Sequence, residues 1–338
     1  MQTLHLTDSR EDLQRAAALL RDGELVAIPT ETVYGLAADA LNGAAVAAIF
    51  KAKGRPADNP LIVHIAHRAQ LDALVADIPP MAEALAQAYW PGPLTMIFRK
   101  AACIPNEVSA GLPTVAVRMP SHPIARQIIE RSCPLAVPSA NRSGIPSPTD
   151  AKRVAEDMDG RIAAVVDGGT CEVGVESTVV DVTGDRVRVL RPGAVTVEML
   201  KQVVGEVEVD DAVLHQLKKH AVAASPGMKY KHYAPNARVV LVKGSPSAYA
   251  QYVNTHAADG VVALCFDGEE STLSVKALTY GTRNDHAAQA HRVFEALREL
   301  DECGAKIAYT ACPSPDGIGL AVYNRLLRAA GFEVIELD

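Results

Sequence analysis

Over the first 205 or so residues, short apolar runs alternate with helical stretches, and this alternation limits the fold more than any other feature of the chain. GELVAIPT reads as a short buried strand that starts at a turn glycine. Ala44 to Ala52 reads as a helix, and Pro60 then opens the strand LIVHI. PLTMIF and TVAVRM are strand-like, and STVVDV and RVRVLR are two more strands joined by a TGD turn. Asp8 and Glu11 are expected to cap an N-terminal helix running through Leu20. Strands interleaved with helices, some joined by hairpins, predict an α/β domain with a twisted mixed sheet. From Ala237 the pattern changes: ARVVLV, GVVALCF and KIAYTA are continuous apolar strands around an amphipathic helix, Ala287 to Leu300. A last helix runs through Tyr323, Leu326 and Leu327. That order predicts a smaller Rossmann-like βαβ domain with a parallel sheet. The expected boundaries are 1–208 for the first domain, 209–236 for a linker and 237–338 for the second.

Length agrees with two domains, because 338 residues exceed one core of the commonest size. A net charge of −7 argues against general nucleic-acid affinity, so a local basic cluster carries more information here than in a basic chain. No apolar run approaches the roughly 18 residues of a membrane span. MQTLHLTDSREDLQ lacks the series of a signal peptide, and the six cysteines form no CxxC pair. The expectation is a cytoplasmic protein with free thiols, no membrane and no zinc or disulfide framework.

GxxxxGK[ST], HExxH and GxSxG are all missing from the chain. Gly317-Ile318-Gly319 is a tight turn before a helix, and His64, three residues from His67, is a strand residue satisfied by a hydrogen bond. The informative cluster is KAKGRPADNPLIVHI, residues 51–65. Lys51, Lys53 and Arg55 fit a solvated helix end, where cations meet the negative dipole terminus. They fit equally a phosphate site, with Gly54 and Pro56 holding Lys53 and Arg55 on a rigid turn. VPSANRSGIPSPTD, residues 137–150, favours the second reading, because it sets hydroxyls and an amide directly after an apolar strand. PTETVYGLAAD does the same, and GVESTVVDV with VLRPGA adds Ser177 and Arg191.

PTETVYGL, FKAKGRPADNPLIVHI, the strand ending in Arg118, PSANRSGIPSPT, GVESTVVD, LRPG and SPGMKYKHYAP follow one another as in the threonylcarbamoyl-adenylate synthases. The chain resembles these YrdC-like enzymes in their two-domain form, densely over the first 200 residues and in the linker. The resemblance implies that L-threonine, bicarbonate and ATP give threonylcarbamoyl-adenylate and pyrophosphate. A separate transfer enzyme then uses the adenylate for the tRNA base next to the anticodon, and a tRNA contact is a further expectation. Lys53, Arg55, Ser139 and Asn141 are implied to carry the chemistry, the first two facing phosphates. Asn59, Thr114, Asn141, Thr149, Arg191 and Tyr230 are implied to complete the nucleotide site with Arg55. Thr32, His64, Arg118, Ser139 and Ser177 are implied to hold threonine, with Arg118 on its carboxylate. Mg2+ is expected to bridge the phosphates largely through water, with no carboxylate cage. The linker, with Lys229 to Tyr233, is expected to act as a lid over the site.

Two other readings predict different behaviour. A double-stranded RNA-binding module predicts affinity that falls steeply with salt and no need for threonine. A carbamoyltransferase with another acceptor predicts use of carbamoyl phosphate and zinc-finger cysteine pairs, which this chain lacks.

Overall fold

The computed structural model describes residues 2–216 and 232–337. These divide into two compact units, one of residues 2–143 and 147–213 and one of residues 144–146, 214–216 and 232–337. Strands of the first unit are β1 (Leu4–Leu6), β2 (Val26–Ile28), β3 (Gly35–Asp39), β4 (Ile62–His64), β5 (Leu94–Arg99) and β6 (Thr114–Arg118). They continue with β7 (Leu135–Ala136), β8 (Ala164–Val166), β9 (Thr178–Asp181), β10 (Val187–Arg191) and β11 (Val207–Val209). All lie in one sheet of order β1-β8-β2-β3-β7-β4-β6-β5-β9-β10-β11. Its pairings mix parallel β4·β6 and β5·β9 with antiparallel β2·β3, β5·β6 and β9·β10, as the tight hairpins predict.

Alternation along the strands sorts side chains between two faces. Val63, Met96, Val117, Val180 and Val189 enter the main apolar core. Ile62, Ile97, Ala116, Val179 and Leu190 turn to the other face, where they form a small cluster with Ala212. His64, Arg118 and Thr95 are cross-strand partners on that second face. The polar groups therefore border a small apolar floor.

Two details differ from expectation. The helix Arg10–Arg21 is capped by Ser9, whose side chain accepts from the Asp12 amide, and not by Asp8 and Glu11. Asp12 in turn accepts from the Thr7 amide and hydroxyl at 2.8 and 2.6 Å, which fixes the start of the helix at Ser9. The helix Gly43–Lys53 extends one residue beyond each expected end and stops at Gly54, which is left-handed at φ 60°.

The second unit holds β12 (Arg238–Lys243), β13 (Val261–Cys265), β14 (Lys276–Thr279), β15 (Ile307–Ala311) and β16 (Val334–Glu336). Their order is β14-β13-β15-β12-β16, and every pairing is parallel. The helices Pro246–Thr255, His286–Glu302 and Gly319–Ala329 connect them, which matches the Rossmann-like expectation.

Candidate active site

Topology sorts the candidate residues to two edges of the polar sheet face. His64 and Arg118 end the parallel strands β4 and β6 side by side. Thr114, at the start of β6, lies on the same face as Arg118 but about 13 Å away, four residues at roughly 3.3 Å each. Asn59 precedes β4, so it stands at the same edge as Thr114. The loop carrying Ser139 and Asn141 leaves β7 at that edge too, because the Val137 amide donates to the Ile62 carbonyl.

At the first edge Arg118 is almost fully buried and held from three sides. Its Nη2 lies 2.6 Å from Glu31 Oε1, its Nη1 donates to Thr32 Oγ1 at 2.9 Å, and its Nε to the Gly92 carbonyl at 3.3 Å. Ser177 lies alongside, its Oγ 2.7 Å from Thr95 Oγ1. Arg191 donates to the Ser177 carbonyl at 3.0 Å and to its hydroxyl at 3.1 Å. Gly193 makes this approach possible, since a Cβ there would meet the Thr178 amide nitrogen at 2.4 Å. Arg191, expected with the nucleotide, thus bonds directly to Ser177, which was expected with threonine.

At the second edge the Lys53 ammonium donates to the carbonyls of Ser139 and Asn141, the latter at 2.6 Å, and lies 3.5 Å from Asn141 Oδ1. Arg55 donates to the carbonyls of Asn59 and Pro60 at 3.1 and 3.2 Å. Asn59 is 1% exposed, and its side-chain oxygen has no hydrogen-bond partner among the described residues. Half-buried Ser139 bridges to Gly35 across the sheet. Thr149 is buried and accepts the Cys171 amide at 2.8 Å. Tyr230 lies outside the described residues.

Lys53 departs from its expected place on a turn. It is the last residue of the helix, and two residues along a helix turn a side chain by about 200°. Lys51 therefore points to solvent while Lys53 points inward and ties the helix to the 139–141 loop. Sequence reasoning also missed Glu31 and Thr95. Glu31 stands in PTETVYG, where a carboxylate between two threonines ahead of a buried tyrosine was a usable signal. Thr95 sits mid-strand in PLTMIF and gives no such signal.

Burial, and then the neighbouring Arg55, push the Lys53 pKa well below the usual lysine range. Burial and Arg118 push His64 well below its ordinary value, so its imidazole is neutral. Burial alone would raise the Glu31 carboxyl, but Arg118 outweighs it and holds the group below its usual value. One edge thus offers a guanidinium with a fixed counter-charge. The other offers cations, carbonyl-anchored amides and an uncommitted amide oxygen.

A family model described as "Telomere recombination", the Sua5/YciO/YrdC model, matches residues 18–193. A second, "Threonylcarbamoyl-AMP synthase, C-terminal domain", matches residues 195–331. The threonylcarbamoyl-AMP synthase of Pyrococcus abyssi is 44% identical over 95% of this chain and 95% of its own. That of Bacillus subtilis is 45% identical over 98% and 97%. The chain belongs to the threonylcarbamoyl-AMP synthase family. A solved structure of P. abyssi Sua5 complexed with L-threonine is 42% identical, with TM-score 0.93 over the full length of both chains. As a family member the chain is an adenylate-forming enzyme of the nucleotidyltransferase type. No helix among the described residues is long and apolar enough to cross a membrane.

Proposed function

We propose that the chain joins L-threonine, bicarbonate and ATP into threonylcarbamoyl-AMP, releasing pyrophosphate, with Arg118 on the threonine carboxylate and Arg55 on the phosphates. The observation that carries this reading is the spacing on β6: Arg118, with its buried fork, and Thr114, at the edge where Arg55 holds the Asn59 and Pro60 carbonyls, stand about 13 Å apart along one face. That distance suits an amino acid at one end and a nucleotide at the other. The solved P. abyssi Sua5 complex with L-threonine supports threonine as the amino acid.

In this proposal Thr32, His64, Ser139 and Ser177 serve threonine, and Asn59, Thr114, Asn141, Thr149, Arg191 and Tyr230 the nucleotide; Ser139, at the Thr114 edge, and Arg191, beside Ser177, would stand where the two substrates meet. Carboxylation turns the threonine amine into a carbamate, whose oxygen attacks the α-phosphorus as the bond to pyrophosphate breaks. Charge grows on oxygens that are already anionic, and fixed guanidinium and hydroxyl donors stabilise it by a few kcal/mol each, roughly. Arg55 and Arg191 are the donors of that kind. Lys53 acts beside them by fixing Ser139 and Asn141. No side-chain nucleophile enters this scheme.

Mg2+ fits the nucleotide edge in one respect: the buried Asn59 Oδ1 is an uncommitted hard ligand beside Arg55. No cluster of three or more His, Cys, Asp or Glu able to hold a metal occurs among the described residues. When bound, the ion would neutralise phosphate charge. The product would pass to a separate tRNA-modifying transfer enzyme, with the cytoplasm as the setting.

Pyrophosphate release measured with each substrate omitted in turn tests the reading. Release should require threonine, bicarbonate and ATP together. Release without threonine, or release from ATP with carbamoyl phosphate replacing bicarbonate, would overturn it, and RNA affinity without turnover would favour the binding-module reading.

A further inference from the structure

Glu31 is the carboxylate that the proposed chemistry leaves unused. It is 4% exposed, and a short hydroxyl turn fixes its place in the loop after β2. The Thr30 hydroxyl accepts from the amides of Thr32 and Val33 and donates to the Val33 carbonyl at 2.6 Å. The Glu31 carbonyl accepts the Val173 amide at 2.8 Å, so the loop is anchored on its other side too. Consecutive residues Glu31 and Thr32 then grip one guanidinium, at 2.6 and 2.9 Å.

The charges around this pair are few. His64 stands beside Arg118 from β4 and is neutral. His122, ahead of the helix Pro123–Arg131, is pushed below its ordinary value by burial, against the pull of Glu31 and Glu172. Burial pushes the Cys171 thiol up to about 12, which leaves it uncharged. Arg118 and Glu31 are thus a buried pair that cancel each other's charge, with the Arg191 guanidinium held farther along the same edge on Ser177. An amino-acid carboxylate that docks on Arg118 places a second anion beside Glu31. Two carboxylates sharing one cation repel, and the one that can take a proton does so more readily than before.

We propose that Glu31 is the positioning residue of the amino-acid site: it holds the Arg118 fork ready for a carboxylate, then shares it with the incoming one and takes up a proton from solvent as it does so. The inference rests on the assignment of Arg118 to the threonine carboxylate. Its consequence is a linkage. If binding takes up a proton, threonine binds more tightly as pH falls.

Calorimetry of threonine binding to the full-length protein, between pH 5.5 and 7.5 and in buffers of different ionisation enthalpy, reads this directly. Wild type should take up a fraction of a proton and gain about threefold or more in affinity toward the acid end. Glu31→Gln should abolish both, because His64 and His122 remain and only the carboxylate is gone. Its kcat for pyrophosphate release should fall about tenfold with KM for ATP within about twofold, since the fork loses its alignment and the nucleotide edge is untouched. Glu31→Asp should restore the proton uptake. A wild-type protein with no proton uptake, or a Glu31→Gln variant that keeps it, overturns the proposal. Arg118→Lys separates the two levels of the argument. If its threonine affinity equals that of wild type, the site assignment itself has failed. If it binds weakly while Glu31→Gln keeps the proton uptake, only the role of Glu31 has.

Discussion

Both units are α/β layers, yet they bury their polar groups differently. The first buries Asn59, His64, Arg118, Asn141, Ser177 and Arg191 at strand ends and in the loops beside them, with Lys53 at a helix end and Arg153 and Asp157 on the helix Ala151–Met158. The second buries its charged groups, Arg325 and Arg328, on a helix together with Asn324, with Gln289 on another helix and Thr310 on β15. There Arg325 donates to its neighbour Asn324 at 2.9 Å and lies 5.7 Å from the Tyr233 ring centre. The strand Val261–Cys265 of its sheet is buried throughout. A charge at a strand end is aimed along a sheet face, where a ligand can reach it. A charge on a packed helix face mostly serves packing. The contrast teaches that the first unit accepts a folding cost at positions a ligand would use, while the second spends its burial on stability.

Arg118→Ala should break the comparison most visibly. It removes the partner of a buried carboxylate as well as the proposed substrate anchor, a loss of about 3 to 5 kcal/mol. Threonine affinity should fall by about a hundredfold or more, and the melting temperature should fall with it. Arg118→Lys keeps the charge and loses the fork, so threonine should weaken less, and threoninol, which lacks the carboxylate, should change little. Equal losses for both ligands in calorimetry would show general misfolding and no anchor.

The second unit should respond in the opposite sense. Leu297 is fully buried on the helix His286–Glu302. Leu297→Ala should cost about 2 to 5 kcal/mol of stability in denaturant unfolding. Its kcat/KM for ATP and threonine, measured well below the unfolding transition, should stay at the wild-type value. A tenfold kinetic loss in a folded Leu297→Ala protein would mean that the second unit takes part in the chemistry.

Arg55→Ala gives the smaller mirror image within the first unit. Arg55 is half-buried and donates to the backbone carbonyls of Asn59 and Pro60, so the fold should survive. The expected loss is about tenfold or more in kcat/KM for ATP, on the order of 2 kcal/mol, with threonine affinity much less affected. Near-normal ATP kinetics would leave Arg55 as a brace on the Asn59–Pro60 backbone with no part in phosphate binding.

How much of this was legible in the sequence differs between backbone and side chain. The strands β4, β5, β6, β12 and β13 were legible because each is a local apolar run bounded by Pro, Gly or polar residues. The strand β7 has two residues and no periodicity to detect, yet it sets the edge from which Ser139 and Asn141 project. Lys53 was legible as a cation but not in direction, because its inward turn depends on how far the helix runs before Gly54 ends it. The Arg118–Thr32 contact joins residues 86 apart, and no local pattern encodes such a pairing.

Acid sharpens the comparison by a smaller amount. The pKa of His64 is depressed in the folded protein, so below about pH 6.5 the unfolded chain takes a proton there that the native state refuses. Stability therefore falls as pH drops from about 7, by at most about 1.4 kcal/mol per pH unit for one group. The Glu31 carboxyl is depressed as well, and its contribution, present above about pH 4.3, is lost lower down. Urea unfolding of wild type and His64→Gln between pH 7.5 and 5.5 checks the first part. The slope of stability against pH should be shallower in the variant, and equal slopes would remove His64 from the account.

The smallest effect belongs at the start of the chain, away from both edges of the site. Ser9 caps the helix Arg10–Arg21 by accepting the Asp12 amide at 3.2 Å, and that helix buries Leu13, Ala16, Ala17 and Leu20. Ser9→Ala leaves one amide of the first turn without its acceptor, which costs about 1 kcal/mol. Part of that cost is absorbed here, because the exposed amide can turn to water and the Asp12 carboxylate still holds Thr7. Denaturant unfolding should show the midpoint shifted at an unchanged slope, the mark of a stability change without a change in the surface exposed. Pyrophosphate release should be unaltered. A kinetic loss at this position would mean that polar contacts anywhere in the first unit reach the chemistry, and the contrast between strand-end charge and ordinary scaffold would lose its force.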